Sequence, residues 1–437
     1  MTKAQLDGLY LLLLGSVIFV LLGMIVESSA VVTTVDYKVV YYSARCLIRH
    51  IDPYQENEVL RVYQAESADR PLESEKVRQI VSRYMYLPTA FAVTVPFALL
   101  PWGPAHILWL TLTIGSVIVA SFLIWNVGAD FAPIVSGILI GFFLANSEVL
   151  VVLCNPAGIA VSLCVVAAWC FIRERFVPAG ILCLAVSLVV KPQDAGLVWL
   201  YFLLAGGVYR RRALQTLVAT LALGLPGILW VWSVAPNWLQ EWRSNILAFS
   251  VHGGINDPGP ASTGGHGLGM LVNLQAVLSV FRDDPHFYNP VSYLICVPLL
   301  LLWLIVTLRS RPTPAKAWIG LAAIAALSML PVYHRQQDTK LLLLTVPACA
   351  MLWAEGGLTG WLAVLVTSTG LIFTGDIPWA VLLGLSNKLH LVAGGIVAKL
   401  LLGTELFSVP LILLMVGIFY LVVYVKRCSA HPAVTPQ

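Results

Sequence analysis

Long apolar runs alternate with short polar stretches along the whole chain. The runs hold about 15 to 22 residues, and a bilayer core about 30 Å thick takes roughly 20 apolar residues per helix, so the pattern predicts an all-α, polytopic membrane protein. Arg and Lys beside the runs mark the cytoplasmic side: Arg173 and Arg175, Arg210 to Arg212, Arg309 with Arg311 and Lys316, and Lys426 with Arg427. Between Arg175 and Arg210 the chain leaves and returns as two short helices meeting at Lys191-Pro192-Gln193-Asp194. By the same parity 213–233 run out, 291–308 return, 317–332 run out, 341–354 return, 360–375 run out and 406–425 return. Near the start, 8–28 form a retained first helix running out, 87–101 return, 104–126 run out, 131–153 dip and come back, and 157–172 cross inward. The expected total is about twelve crossings with both termini cytoplasmic.

Three segments break the pattern. Residues 29–86 carry near-balanced charge, with Val39, Tyr42, Cys46 and Leu47 spaced as a helix face, and predict an outer loop with amphipathic helices. Residues 234–289 include the Gly/Pro-rich stretch His252 to Pro260 and predict an outer mobile loop or lid. Residues 379–402 are apolar but interrupted by Ser386, Asn387, Lys388 and His390, which suits an interfacial or re-entrant helix. The 437 residues read as a single integral membrane domain with no internal repeat.

Composition sharpens the class. Only 11% of residues are charged and 59% are hydrophobic, against roughly 25% charged in soluble domains, which excludes a soluble enzyme. A net charge of +4, dispersed along the chain, gives no ground for a nucleic-acid partner. The eight cysteines form no CxxC pair and all but Cys46 lie in or beside apolar segments, so they read as packing residues. Outer-loop His252 and His266 lack metal-ligand spacing, so no metal or cofactor is expected. Nothing in the sequence names an obligate protein partner.

The polar residues gather at the outer helix ends: Asp36, Tyr86-Leu87-Pro88, Asn155-Pro156, Lys191 to Asp194, and Tyr333-His334-Arg335-Gln336-Gln337-Asp338-Thr339-Lys340. A cavity there would combine a carboxylate, a lysine, a histidine and an arginine, enough to deprotonate an acceptor and hold an anionic leaving group. Plainer readings stand beside this one. An Asp ahead of a helical pattern also serves as an N-cap. A lysine at a helix end snorkels to water, although at mid-helix it costs about 2.5–3.5 kcal/mol.

Several of these stretches resemble one family. Asp36-Tyr37-Lys38-Val39-Val40-Tyr41-Tyr42-Ser43-Ala44 with Pro53-Tyr54 resembles the first-loop signature of glycosyltransferase family 87. Tyr86-Leu87-Pro88, the block from Pro96 to Trp109, Lys191-Pro192, and Tyr333-His334-Arg335 followed by Leu341 to Leu343 resemble later family motifs, in the same order. Two places depart from the pattern: Arg49 to Tyr54 lacks the usual glycine, and Asn155-Pro156-Ala157 stands where many members carry Gly-Gln-x-Asn.

The resemblance implies a GT-C type membrane glycosyltransferase with amphipathic and re-entrant helices on the outer face. Its donor would be a polyprenyl-phosphate sugar, often mannose, and its acceptor a lipid or glycan. By resemblance Asp36 is the catalytic base. Lys191 and Arg335 bind the donor phosphate, and Tyr37, Tyr41, Tyr54, Asn155, Gln193, His334 and Asp338 contact substrate. The expected product has inverted stereochemistry, and the site faces away from the cytoplasm in the cell membrane. The alternative class is a secondary transporter or lipid flippase with an outward-facing charged site.

Overall fold

The computed structural model describes residues 1–29, 33–67, 75–262, 270–381 and 396–429. Most of the 379–402 segment, with Ser386, Asn387, Lys388 and His390, lies outside them, as does His266. Every regular element among the described residues is helical, apart from one isolated antiparallel bridge between Leu271 and Arg335. Among the described residues six segments are long and apolar enough to cross a membrane: Lys3–Ser29, Trp102–Gly128, Pro133–Val152, Gly207–Val234, Pro285–Arg309 and Phe407–Ser429. Shorter apolar helices pack among them, and together they make a membrane-embedded helical bundle.

The first helix, α1 (Lys3–Ser29), is followed by three polar helices, α2 (Val35–Ile48), α3 (Glu56–Glu66) and α4 (Glu75–Ser82), in the segment read as an amphipathic loop. A 3-10 turn and α5 (Phe91–Ala98) come next. Here the fold departs from the expected inward crossing of 87–101. Tyr54 Oη donates to Tyr86 O at 2.8 Å, while Tyr41 Oη donates to Leu100 O at 2.8 Å and Arg45 to Ala98 O at 3.1 Å. Both ends of the segment therefore rest on the α2–α3 region. Helix α5 has only eight residues and contains Pro96, so it turns back where it began.

The compensating change comes directly after. Helix α6 (Trp102–Gly128) runs antiparallel to α1, with Trp125 beside Gly8 at one end and Trp109 Nε1 donating to Cys154 O at 3.0 Å near the other. Helix α7 (Pro133–Leu144) and the short α8 (Val149–Val152) then lie along the full length of α1 instead of dipping and returning. Gly8 meets Pro133 and Gly137, Gly15 meets Gly141, and Gly23 meets Val151. A Cβ on Gly8 would stand 2.4 Å from Pro133 O, and one on Gly15 2.6 Å from the Gly141 Cα. Small residues allow this backbone-to-backbone approach, which is how helices associate where no hydrophobic effect drives them together.

Helices α9 (Ala157–Arg173), α10 (Val177–Val190) and α11 (Pro192–Ala205) form the antiparallel set expected from the sequence, with Lys191 at the apex between α10 and α11. Then follow α12 (Gly207–Val234), α13 (Trp238–Ser250), α14 (Leu274–Phe281), α15 (Pro285–Arg309) and α16 (Pro314–Leu327). The 234–289 region thus holds two helices around its Gly/Pro-rich stretch. After α16 a buried 3-10 turn (Gln336–Leu344) leads to α17 (Thr345–Glu355) and α18 (Gly357–Phe373), and α19 (Ile396–Ser429) packs on α16 and α18.

Candidate functional site

At the end of the bundle where α2 lies, a cavity of about 940 Å³ opens between α2, the α10–α11 apex, α13, the start of α15 and the 331–338 turn. Asp36, Asn155, Lys191, Gln193, Arg335 and Asp338, all singled out from the sequence, line it. Long-range contacts fix their positions. The first turn of α2 presents Asp36, whose Oδ2 accepts from Asn155 Nδ2 at 2.6 Å. Asn155 is held in turn at the start of α9, where its Oδ1 accepts from Ala157 N at 2.8 Å. Burial raises the Asp36 pKa above its ordinary value, while the Asn155 hydrogen bond and the Arg335 and Lys191 charges pull against that rise.

The basic side of the cavity is a paired network. Lys191 Nζ donates to Asp338 Oδ1 and lies 3.5 Å from Asp194 Oδ2. His334 Nε2 stands 3.4 Å from Asp194 Oδ1. Lys191, Asp194, His334 and Asp338 are all nearly inaccessible. Burial disfavours the charged form of Lys191, yet Asp194 and Asp338 outweigh it and raise its pKa, so the ammonium is kept. His334 follows the same logic, burial lowering its pKa and Asp194 more than restoring it. Arg335 is anchored from several sides: its Nη2 donates to Ile255 O and Asn256 Oδ1, both at 2.8 Å, and its Nε to Tyr333 Oη at 2.6 Å. This ties the Gly/Pro-rich segment to the cavity wall. Asp338 completes the turn by accepting from the Arg335 backbone N–H at 2.8 Å.

Four residues named from the sequence do not line the cavity. Tyr37 is buried in an aromatic cluster, its ring stacked on Trp109 at 4.9 Å, and Tyr41 packs beside it against Trp102. Tyr54 supports the wall from behind through its bond to Tyr86 O, and His334 acts through Asp194. In each case the aromatic or imidazole ring is drawn into packing or ion pairing that the motif alone does not reveal.

Further polar residues stand here, of which the sequence marks Gln337 and Lys340 only as part of the polar cluster Tyr333 to Lys340. Asn273, Gln275 and Gln337 line the cavity, nearly buried, each with its side-chain carbonyl oxygen lacking a hydrogen-bond partner. Leaving such an atom unpaired costs about 1–3 kcal/mol. Gln337 falls inside the polar cluster Tyr333 to Lys340, whereas Asn273 and Gln275 are isolated amides without diagnostic spacing, so no sequence signal marks those two. From within the 3-10 turn Lys340 Nζ donates to Asn146 O at 2.9 Å, and Asp376 Oδ2 accepts from Val149 N at 2.6 Å beside the buried Glu148. These contacts join the 146–149 turn, which leads to Asn155, to the turn carrying Arg335 and Asp338.

His252 is exposed, as expected, but its Nδ1 lies 3.3 Å from Asp257 Oδ2 and 3.8 Å from Asp283 Oδ2. Ligand atoms of these three residues lie within 4.8 Å of one another, and among the described residues they are the group placed to hold a metal ion. They stand beside Asn256 and Pro258 at the edge of the cavity.

The fold and its cavity define a helical membrane protein with a charged, partly apolar pocket at one end of the bundle. Comparison with protein-family models, curated proteins and solved structures finds no match to this chain.

Proposed function

We propose that the protein is a membrane glycosyltransferase of the GT-C type, moving a sugar, with mannose the first candidate, from a polyprenyl-phosphate donor to a lipid or glycan acceptor. In this reading the chain crosses the membrane about twelve times with both termini in the cytoplasm, and the cavity faces the other side. The observation that carries the proposal is the grouping in one cavity of a hydrogen-bonded carboxylate, Asp36, with two cations, Lys191 and Arg335. The family resemblance of the surrounding motifs supports the same assignment.

The proposed step is a single inverting displacement. Asp36 takes the proton of an acceptor hydroxyl as that oxygen forms a bond to the anomeric carbon. The bond from that carbon to the phosphate oxygen breaks on the opposite face, and polyprenyl phosphate leaves with the electron pair. Lys191 and Arg335 stabilise the phosphate charge, which in this scheme requires no metal. In this reading the lipid tail leaves along α15, whose Pro285, Tyr288, Asn289 and Tyr293 line the cavity. The segment held by Arg335 lines the pocket with Ile255, Asn256 and Pro258, and in this reading its closure over bound donor limits water entry.

The test is to supply polyprenyl-phosphate mannose and arabinofuranose, with a membrane lipid extract, to the protein in nanodiscs. Donor loss and new glycosides are followed by mass spectrometry. Donor consumption that stops with Asp36→Asn supports the proposal. Counter-transport of a solute in proteoliposomes, with no glycosyl product, supports the transporter instead.

A further inference from the structure

The cavity has a second chemical character besides its charges. Asn273, Gln275 and Gln337 are 6%, 4% and 1% exposed, and the carbonyl oxygen of each side chain has no hydrogen-bond partner within the protein. They come from two segments held side by side. Val272 N donates to His334 O at 3.1 Å, Gln336 N to Met270 O at 2.9 Å, and Leu274 N to Leu330 O at 2.9 Å. This short antiparallel pairing sets Asn273 and Gln275 next to the turn that carries Gln337. Gln275 is also oriented: its Nε2 donates to Pro331 O at 2.8 Å, which leaves Oε1 as its free end.

An amide oxygen accepts hydrogen bonds and cannot bind a phosphate or carboxylate oxygen. Buried polar atoms in native proteins are rarely left unpaired, so three of them in residues that line one cavity point to an occupant that brings donors. Neutral hydroxyl groups supply such donors, and a sugar ring carries several at fixed angles. The cations of the same cavity take the opposite partner, an anionic oxygen. Amide oxygens and cations together therefore fit a molecule with hydroxyls at one part and a phosphate at another.

We propose that Asn273, Gln275 and Gln337 form the subsite for the sugar ring of the glycosyl donor, accepting hydrogen bonds from its hydroxyls. This rests on the glycosyltransferase reading and adds the residues that tell a glycosylated lipid phosphate from a bare one. Lys191 and Arg335 hold the phosphate common to both lipids, and the amides set the difference between them.

The experiment measures binding of polyprenyl-phosphate mannose and of bare polyprenyl phosphate to the full chain in nanodiscs. The wild type is expected to prefer the glycosylated lipid by about tenfold or more. Gln337→Leu and Gln275→Leu should bring the two affinities close together while bare polyprenyl phosphate binds as before, which also shows that the variants fold. Donors lacking single ring hydroxyls provide a check that does not depend on folding: at least one should bind the wild type more weakly, yet match the full donor on the corresponding variant. An unchanged preference in both variants, or additive losses with every deoxy donor, would overturn the assignment. If the wild type binds neither lipid, the glycosyltransferase reading fails and this subsite falls with it.

Discussion

Asn155 Nδ2 donates to Asp36 Oδ2 at 2.6 Å, joining the start of α9 to the first turn of α2 across 119 residues of chain. Burial raises the Asp36 pKa, and this amide is the first group opposing that rise. In the proposed mechanism Asp36 must be ionised to act. The rate of transfer should therefore increase with pH through a limb lying above the ordinary value of an aspartate. Removing the amide with Asn155→Ala takes away a bond to the charged form, so the limb should move to still higher pH. A pH–rate profile of both proteins checks the sign; a limb that stays in place or moves down counts against Asp36 as the titrating base.

The Lys191 ammonium sits between Asp338 and Asp194 with almost no solvent contact. Taking one member of a buried pair away leaves the other uncompensated, at a cost of about 3–5 kcal/mol. Lys191→Met should lower the thermal midpoint in nanodiscs, and adding Asp338→Asn should recover part of the loss. A double variant no more stable than the single one would show that the pairing is not what holds this wall.

Gly375 lies against the side chain of Asn146, and a Cβ there would stand 1.7 Å from its Nδ2. Asn146 in turn donates to Ile372 O at 2.8 Å and accepts from Ile377 N at 2.7 Å. Gly375→Ala must displace that amide, and overpacking of this kind costs about 1–3 kcal/mol. Thermal unfolding of the variant should show the loss, whereas Gly103→Ala, with nothing within 4 Å of the added atom, should not through packing.

Chelation bears on the proposed chemistry. With Lys191 and Arg335 stabilising the leaving phosphate, transfer should continue unchanged in excess chelator. A loss restored by a divalent ion would contradict this, and His252→Ala, Asp257→Asn and Asp283→Asn would then locate the ion, since those three groups lie close enough to share one.

The apolar runs and the basic clusters made the helical membrane class legible, and the interruption at Lys191 to Asp194 placed the α10–α11 apex correctly. Two stretches read differently from how they fold. Residues 87–101 are as apolar as a crossing, but Pro96 and hydrogen bonds to α2 and to Tyr54 in the α2–α3 connection return the segment to its starting end. Residues 131–153 read as a dip and return by the parity of the basic clusters, yet they run along α1, and contacts with Lys340 and Asp376, remote in sequence, bury the polar turn at Asn146 to Glu148 within the bundle. The charged half of the cavity could be anticipated because ionised groups stand out against apolar neighbours. Of its amide half only Gln337, inside the polar cluster Tyr333 to Lys340, was marked; Asn273 and Gln275 acquire meaning only when the 270–274 segment pairs with 330–336.

The most direct test of the central claim is donor turnover by the native protein and by Asp36→Asn, reconstituted side by side with polyprenyl-phosphate mannose and a lipid extract. The account predicts consumption by the native protein and a rate about 10²–10⁴-fold lower in the variant, the contribution typical of a general base. Equal turnover by both proteins would contradict it.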